Sequence, residues 1–293
     1  MRVLLVRGLR DAEGEAAAGW LEGHGFVWRA QEASEVTSQD DAWADVVWWH
    51  AGVPPSVDMP SVALRHRVTD VGGVLLSQLA CALPAMFGLD DLTPEFMTGR
   101  FSEEDDPLWD PAFKTWPDFP HIRGMQGWSG GRHPLFEGLV NGTFCRQLHE
   151  GDLLVDAGHV WPAWPARARV IAVERAYVRL NSERAVAWEY AVGNRRVLCL
   201  GAHVELTGQH HLSAQRDRLL GNALALVARP HPPQATDGVW PTRRGPVAVA
   251  PLAPRVIAPP SRRASNDGPI LRSAGDPNSP FTLAGRRALV VGT

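Results

Sequence analysis

The sequence is poor in cysteine and contains almost no lysine. Its three cysteines, Cys81, Cys145 and Cys199, have no regular spacing and include no CxxC pair. Neither a disulfide framework nor a cysteine-based zinc site is therefore expected. Lys114 is the single lysine, and the net charge of the chain is −3. This charge gives no reason to expect nucleic acid or an anionic membrane surface as a partner.

Long hydrophobic runs are also missing. The apolar stretch within residues 1–7 is too short for a signal peptide. No apolar run approaches the length of about 18 residues that a membrane span needs. We therefore expect a cytoplasmic protein that has no membrane partner. With 45% hydrophobic residues in a chain of 293, the protein can bury a sizeable core.

Short apolar runs alternate with helical patterns in the first part of the chain. The predicted strands are 3–6, 26–28, 45–50 and 74–76, and the predicted helices are one capped by Asp11, one at 62–68 and one at 79–88. Alternation of this kind indicates βαβ units, and such units produce a parallel sheet with helices on both faces. The sequence therefore predicts an α/β domain.

The rest of the chain divides into four segments by composition. Residues 90–135 are rich in Asp, Pro, Gly and Trp, which predicts a long insertion loop. Strands at 170–173, 185–190 and 196–200, a hairpin turn at Gly193-Asn194 and a closing helix at 212–227 are predicted next. We place the first domain at 1–228, a proline-rich linker at 229–267, and the start of a further, truncated β-rich domain at 268–293.

Polar side chains follow the predicted parallel strands, at the edge where ligands bind in open α/β sheets. His50, Ser77 and Gln78 lie at two of these strand ends, and His203 and Glu205 at a third. An imidazole two residues before a carboxylate is a candidate pair of a base and the group that orients it.

The strand followed by Gly201-x-His203-x-Glu205 and a helix resembles the class I glutamine amidotransferase-like superfamily. That resemblance implies a flavodoxin-like, three-layer α/β/α sandwich and a strand-to-helix elbow near residues 73–81, where the superfamily carries a nucleophilic cysteine. This chain has Ser77 and Gln78 at the turn, without flanking glycines, and Cys81 about one helical turn later. The expected nucleophile is therefore missing from its usual position.

A series of short motifs is similar to the trehalose-utilisation (ThuA-like) branch of this superfamily over residues 1–228. The motifs are Asp45–Gly52, Val71–Leu76, His133–Leu139, and Trp188–Gly193 leading to Arg196–Gly201. The resemblance implies a domain of carbohydrate metabolism that often lacks a nucleophile. The segment from Gly268 through Asn278–Arg287 is similar to the lead-in of glycogen-debranching-like proteins, which implies a larger carbohydrate-active protein whose downstream domain is a partner.

Tryptophan is unusually abundant, with twelve residues. Five fall in segments that resemble loops: Trp109, Trp116, Trp128, Trp161 and Trp164. They either anchor the loops to the core or form a stacking surface for sugar rings. Trp128 and Trp161, with His50 and Gln78, are the candidate ligand-binding residues.

Besides a pure interaction or scaffold domain with no ligand, two functions remain open at this point. The first is a non-catalytic or degenerate amidotransferase-like domain that binds a sugar or a partner domain at the strand ends. The second is a hydrolase or amidotransferase that uses His203 as base, Glu205 to orient it, and Ser77 or Cys81 as nucleophile. Association into a homo-oligomer is open under either function.

A metal site is a further alternative at the strand ends. His50, His203, Glu205 and the pair His210-His211 could converge there, and these are donors that suit zinc. No local metal-binding motif is present, however, and histidines at strand ends more often bond to the backbone. We therefore expect neither a metal nor a cofactor.

Overall fold

The structure is a computed structural model that describes residues 1–8, 11–55, 60–102, 121–128, 132–176, 179–207 and 213–230. Beyond residue 230, the predicted linker and the predicted second domain lie outside the described residues. Trp109, Trp116, His210 and His211 also lie outside them.

Eleven strands form the sheet structure of the described chain. They are β1 (Arg2–Arg7), β2 (Val27–Glu32), β3 (Val46–Ala51), β4 (Val74–Gln78), β5 (Glu95–Arg100), β6 (His121–Gly127), β7 (Thr143–Leu148), β8 (Leu153–Val160), β9 (Arg169–Ala176), β10 (Arg179–Val192) and β11 (Arg195–Leu200). Five of them pair in parallel in the order β2-β1-β3-β4-β11. Numbered along the chain, this is the order 2-1-3-4-5 of flavodoxin-like folds, so the predicted α/β architecture is confirmed.

Five α-helices accompany the sheet: α1 (Ala12–Gly23), α2 (Ser38–Trp43), α3 (Val62–His66), α4 (Leu83–Met86) and α5 (Ser213–Ala228). The Asp11 side chain accepts a hydrogen bond from the Glu13 N–H at 3.1 Å, which is the predicted cap of α1. The start of the predicted helix at 79–88 is a 3₁₀ turn, Leu79–Ala82, that leads into α4.

Two apolar clusters lie on opposite faces of the parallel strands. On one face, α1 and α5 pack against side chains of β1, β3 and β4 such as Leu5 and Trp48. On the other face, α3 and the turn after β4 pack against alternate side chains such as Leu4 and Trp49. Successive residues of one strand therefore enter different cores. This double burial explains the continuous apolar runs and confirms the three layers.

The sheet is mixed, whereas a parallel sheet was expected. Beyond β11 the order continues β10-β9-β6-β7, with antiparallel pairing throughout. The turn between β10 and β11 contains Gly193 at φ 56°, which confirms the predicted hairpin. Antiparallel neighbours follow from this short turn, since a parallel pair needs a long crossover.

The segment 90–135 is not one long loop, because it contains β5 and β6. Gly124 lies inside β6, where a Cβ atom would stand 1.9 Å from the carbonyl oxygen of Phe144. The glycine permits close approach of β7, whereas glycine in this segment contributed to the prediction of a loop. Residues 103–120 lie outside the described chain.

Strand β8 runs beside the segment that follows β11. The N–H of Ala157 donates to the carbonyl of Gly201 at 2.6 Å. A Cβ atom on Gly201 would lie 2.0 Å from the oxygen of Ala157. This contact places β8, which also pairs with β5 and β10, next to the predicted site residues.

Within the described ranges, no helix has the length and apolar character needed to cross a membrane.

Candidate functional site

The ends of β3 and β4 and the start of α1 bring Ser77, His50 and Glu13 into one hydrogen-bonded chain. His50 and Ser77 are direct neighbours in the parallel register. The Nδ1 atom of His50 lies 2.7 Å from Ser77 Oγ, and its Nε2 atom lies 2.7 Å from Glu13 Oε2. Trp48 Nε1–H donates to Ser77 Oγ at 2.9 Å. The relay has the order serine, histidine, glutamate, and Ser77 and His50 are 0% exposed.

Glu13 is the ionised carboxylate at one end of this relay. Burial alone would raise the pKa of Glu13. Its hydrogen bond to His50 and the charge of that imidazole shift the pKa in the opposite direction. With the Leu206 N–H and the Thr207 hydroxyl, they lower the pKa to about 2. An ionised Glu13 accepts the proton on Nε2 of His50, and the Nδ1 side of the same ring contacts Ser77 Oγ.

Gln78 occupies the strained position of the elbow. Its backbone has φ 55° and ψ −128°, directly between β4 and the 3₁₀ turn. A non-glycine residue in this region costs on the order of 1–3 kcal/mol and points to a functional constraint. The side chain there is an amide: its Nε2 lies 3.4 Å from Glu13, and its Oε1 has no hydrogen-bond partner. An amide is not a nucleophile, so the strained position has no attacking group.

The predicted pairing of His203 with Glu205 is not formed. Arg146 NH1 lies 2.5 Å from Glu205 Oε2, and the Val155 N–H donates to Glu205 Oε1 at 3.1 Å. Burial raises the pKa of Glu205 in spite of the Arg146 charge. The imidazole that contacts Ser77 is His50, which was predicted as a ligand-binding residue and not as a base.

His203 instead faces two carboxylates that were not predicted from the sequence. Its Nε2 lies 3.5 Å from Glu174 Oε1, and its Nδ1 lies 3.9 Å from Asp156 Oδ1. His203 also has a positive φ of 63°. The sequence feature that could have indicated one of these two carboxylates is an acidic residue inside an apolar run, as at Asp156. Glu13 gave no signal, because an acidic residue in the first turn of a helix is common.

Cys81 is placed away from this chemistry. Its Sγ atom donates to the carbonyl of Leu76 at 3.5 Å, and the side chain is 1% exposed. The alternative nucleophile predicted from the sequence is therefore a buried residue of the turn after β4.

Three tryptophans of the described loops contact one another; we call Trp128, Trp161 and Trp164 the tryptophan cluster. The ring centres of Trp128 and Trp164 are 5.3 Å apart, and those of Trp161 and Trp164 are 5.8 Å apart, both edge to face. Trp164 Nε1–H and the Trp161 N–H donate to the carbonyl of Glu183 at 2.7 and 2.8 Å. Trp128 is 48% exposed.

The strand-end residues are closed to solvent. His50, Ser77, Gln78, His203 and Glu205 are each 0% exposed. A surface cavity of about 380 Å³ lies elsewhere, between Arg65, Phe87, Leu89 and Arg167. None of the predicted site residues lines that cavity. Within the described part of the chain, these five strand-end side chains are therefore buried and not open to a ligand.

Comparisons with known proteins give distant structural likeness only. No protein-family model and no curated protein matches the sequence. PurLQS from Thermotoga maritima is 13% identical, with a TM-score of 0.46 over 76% of this chain and 97% of its own. A Thermoplasma acidophilum protein assigned to GMP synthase is 10% identical (TM-score 0.44, 78% and 94% covered). A glutamine amidotransferase from Thermotoga maritima is 9% identical (TM-score 0.37, 75% and 81% covered). The fold assignment therefore stands on the strand order of this chain.

Proposed function

We propose that this chain is a non-catalytic flavodoxin-like domain that binds carbohydrate at the tryptophan cluster. The observation that carries the proposal is the exposure of Trp128, 48%, beside two half-buried tryptophans. An exposed indole face stacks well on the apolar face of a sugar ring. The edge-to-face contacts with Trp164 hold the rings in place before any ligand arrives, which lowers the entropy cost of binding.

The elbow supports the non-catalytic part of the proposal. Gln78 stands where a nucleophile is needed, and the groups around it are closed to solvent. A relay whose described side chains are all buried is expected to stabilise the fold and not to turn over a substrate. Membership of the ThuA-like branch, and a place in a larger carbohydrate-active protein, belong to this proposal as well.

Titration with a panel of soluble sugars tests the binding function. Trehalose, maltoheptaose and cello-oligosaccharides are added while calorimetry and tryptophan fluorescence are recorded. We expect one class of oligosaccharide to bind, and Trp128→Ala to weaken it by about tenfold or more through lost stacking and apolar area.

Trp43→Ala is the matched control. Trp43 is also half-buried and is stacked by Arg29 at 4.3 Å, but it lies on α2 and not in the cluster. An equal loss of sugar affinity in both variants would contradict the proposal. Failure of the unaltered protein to bind any sugar of the panel would contradict it as well.

The relay of Ser77, His50 and Glu13 favours a second candidate function, a serine hydrolase. The order of the groups is that of a serine–histidine–carboxylate system, although Ser77 is bonded to Nδ1. Labelling with a fluorophosphonate probe distinguishes the two functions. Labelling that Ser77→Ala abolishes supports the hydrolase, whereas a non-catalytic domain remains unlabelled while folded.

A further inference from the structure

A second set of buried groups lies outside the relay and outside the tryptophan cluster. Asp156 of β8, Glu174 of β9 and His203, three residues after β11, each offer a ligand atom, and these atoms lie within 4.8 Å of one another. All three side chains are nearly or completely buried. They come from three separate parts of the chain, so only the tertiary structure brings them together.

Several polar atoms of this set lack a hydrogen-bond partner. Both ring nitrogens of His203 and Asp156 Oδ2 are buried without one. The other carboxylate oxygen of Asp156, Oδ1, accepts a hydrogen bond from the backbone N–H of His203 at 3.2 Å. This bond fixes the carboxylate beside the imidazole. Burying polar atoms without hydrogen bonds costs free energy. We therefore expect a bound group to satisfy these atoms in the folded protein.

We propose that Asp156, Glu174 and His203 bind one divalent first-row metal ion, such as Zn²⁺ or Mn²⁺. An imidazole with two carboxylates is a donor set that these ions accept. The positive φ of His203, 63°, is the backbone strain that holds the ring between the two carboxylates. The proposal does not depend on carbohydrate binding.

Glu174 is held by charged and polar neighbours from outside the set, and Arg123 NH1 also lies 3.9 Å from Glu174 Oε1. Arg184 NH1 lies 2.8 Å from Glu174 Oε1, and Asn181 Nδ2 donates to Oε2 at 3.1 Å, so Glu174 is oriented from outside the set. Glu205 is paired with Arg146. In the described ion pairs, Asp156 has no partner except the His203 imidazole. Its charge is thus left for a cation.

Metal titration of the tag-free full chain tests the site. The protein is stripped with a chelator, and ZnCl₂, MnCl₂ and CoCl₂ are added while heat and melting temperature are recorded. We expect one ion per chain and a rise in melting temperature, because an ion that binds only the folded state stabilises it. His203→Gln and Asp156→Asn are each expected to lower the affinity by at least about tenfold.

His133→Gln is the matched control. His133 Nε2 also lies 3.5 Å from a buried carboxylate oxygen, that of Glu189, but His133 is not part of the proposed site. The affinity of this variant should equal that of the unaltered protein. Absence of binding at millimolar metal, or binding that His203→Gln and Asp156→Asn leave unchanged, would overturn the proposal.

X-ray absorption on the cobalt-loaded unaltered protein covers the case in which the variants fail to fold. One nitrogen donor with carboxylate oxygens supports the site, whereas a shell of oxygens alone or of several imidazoles overturns it.

Discussion

At the scale of single residues, Glu13 has the largest set of polar contacts at the strand ends. Its carboxylate accepts from His50, from the Thr207 hydroxyl, and from the backbone N–H groups of Leu206 and Thr207. These bonds connect α1, β3 and the segment after β11. A single buried carboxylate therefore holds together three elements that are distant in sequence.

Glu13→Gln should lower the free energy of unfolding by about 3 kcal/mol, because it removes a buried carboxylate that is hydrogen-bonded to His50, Leu206 and Thr207. Glu15→Gln is the matched control in the same helical turn. Glu15 pairs with Arg7 but its side chain is 70% exposed, so its loss should change stability by less than about 0.5 kcal/mol. Urea unfolding near pH 7 measures both. A similar decrease in the free energy of unfolding for the two variants would contradict the role assigned to Glu13.

Glu13 should also make stability depend on pH. Its pKa in the folded protein is about 2, below the ordinary value of 4.5, so the unfolded chain takes up the proton first as pH falls. The stabilisation is complete above about pH 5 and is lost between there and about pH 2. The difference in unfolding free energy between the unaltered protein and Glu13→Gln should shrink from pH 6 to pH 3. A constant difference over this range would mean that the pKa of Glu13 is not depressed.

At the scale of secondary-structure elements, β8 decides the character of the site. Its contact with Gly201 and the bonds of Val155 and Asp156 to the segment 203–205 hold that segment, with His203 and Glu205, against the strand. The strand was not foreseen at this position because its partners, β5 and β10, are set by distant pairing. Strand pairing of this kind leaves no local trace beyond alternation.

Gly201→Ala should lower the free energy of unfolding by about 2 kcal/mol or more, because the added methyl group collides with the Ala157 carbonyl. Gly221→Ala, in the interior of α5, meets no atom within 4 Å. It should instead raise stability by roughly 0.5–1 kcal/mol through helix propensity. Chemical denaturation of both variants gives the comparison. If Gly201→Ala is neutral, β8 does not lie against the end of β11.

At the scale of the whole molecule, all the described residues belong to a compact unit that spans Met1–Gly238. Its two large apolar clusters lie on either face of one sheet. A unit of this size buries enough apolar surface to fold by itself.

A protein of residues 1–238 should therefore unfold in one cooperative transition. Tryptophan fluorescence and far-UV circular dichroism should give the same urea midpoint. Two separate midpoints, or an absence of tertiary signal in buffer, would show that this unit needs other parts of the chain to fold. The full-length chain, studied in parallel, is the control.

The sequence by itself determined the parallel half of the fold. Strands β1, β3 and β4, the cap of α1 and the helix α5 follow from apolar runs, spacing and a capping side chain, all of which are local signals. The sequence also identified His50 and Ser77, because each directly follows an apolar run and such strand ends meet at one edge of a parallel sheet.

Only the tertiary structure decided which of these groups are partners. Ser77 pairs with His50 and not with His203, since β3 and β4 are neighbours in register. His203 meets Asp156 and Glu174 because β8 and β9 approach from the antiparallel half of the molecule. Hydrogen bonds and charge pairs of this kind depend on distances of a few ångströms between segments far apart in the chain. Residue spacing in the sequence does not fix such distances.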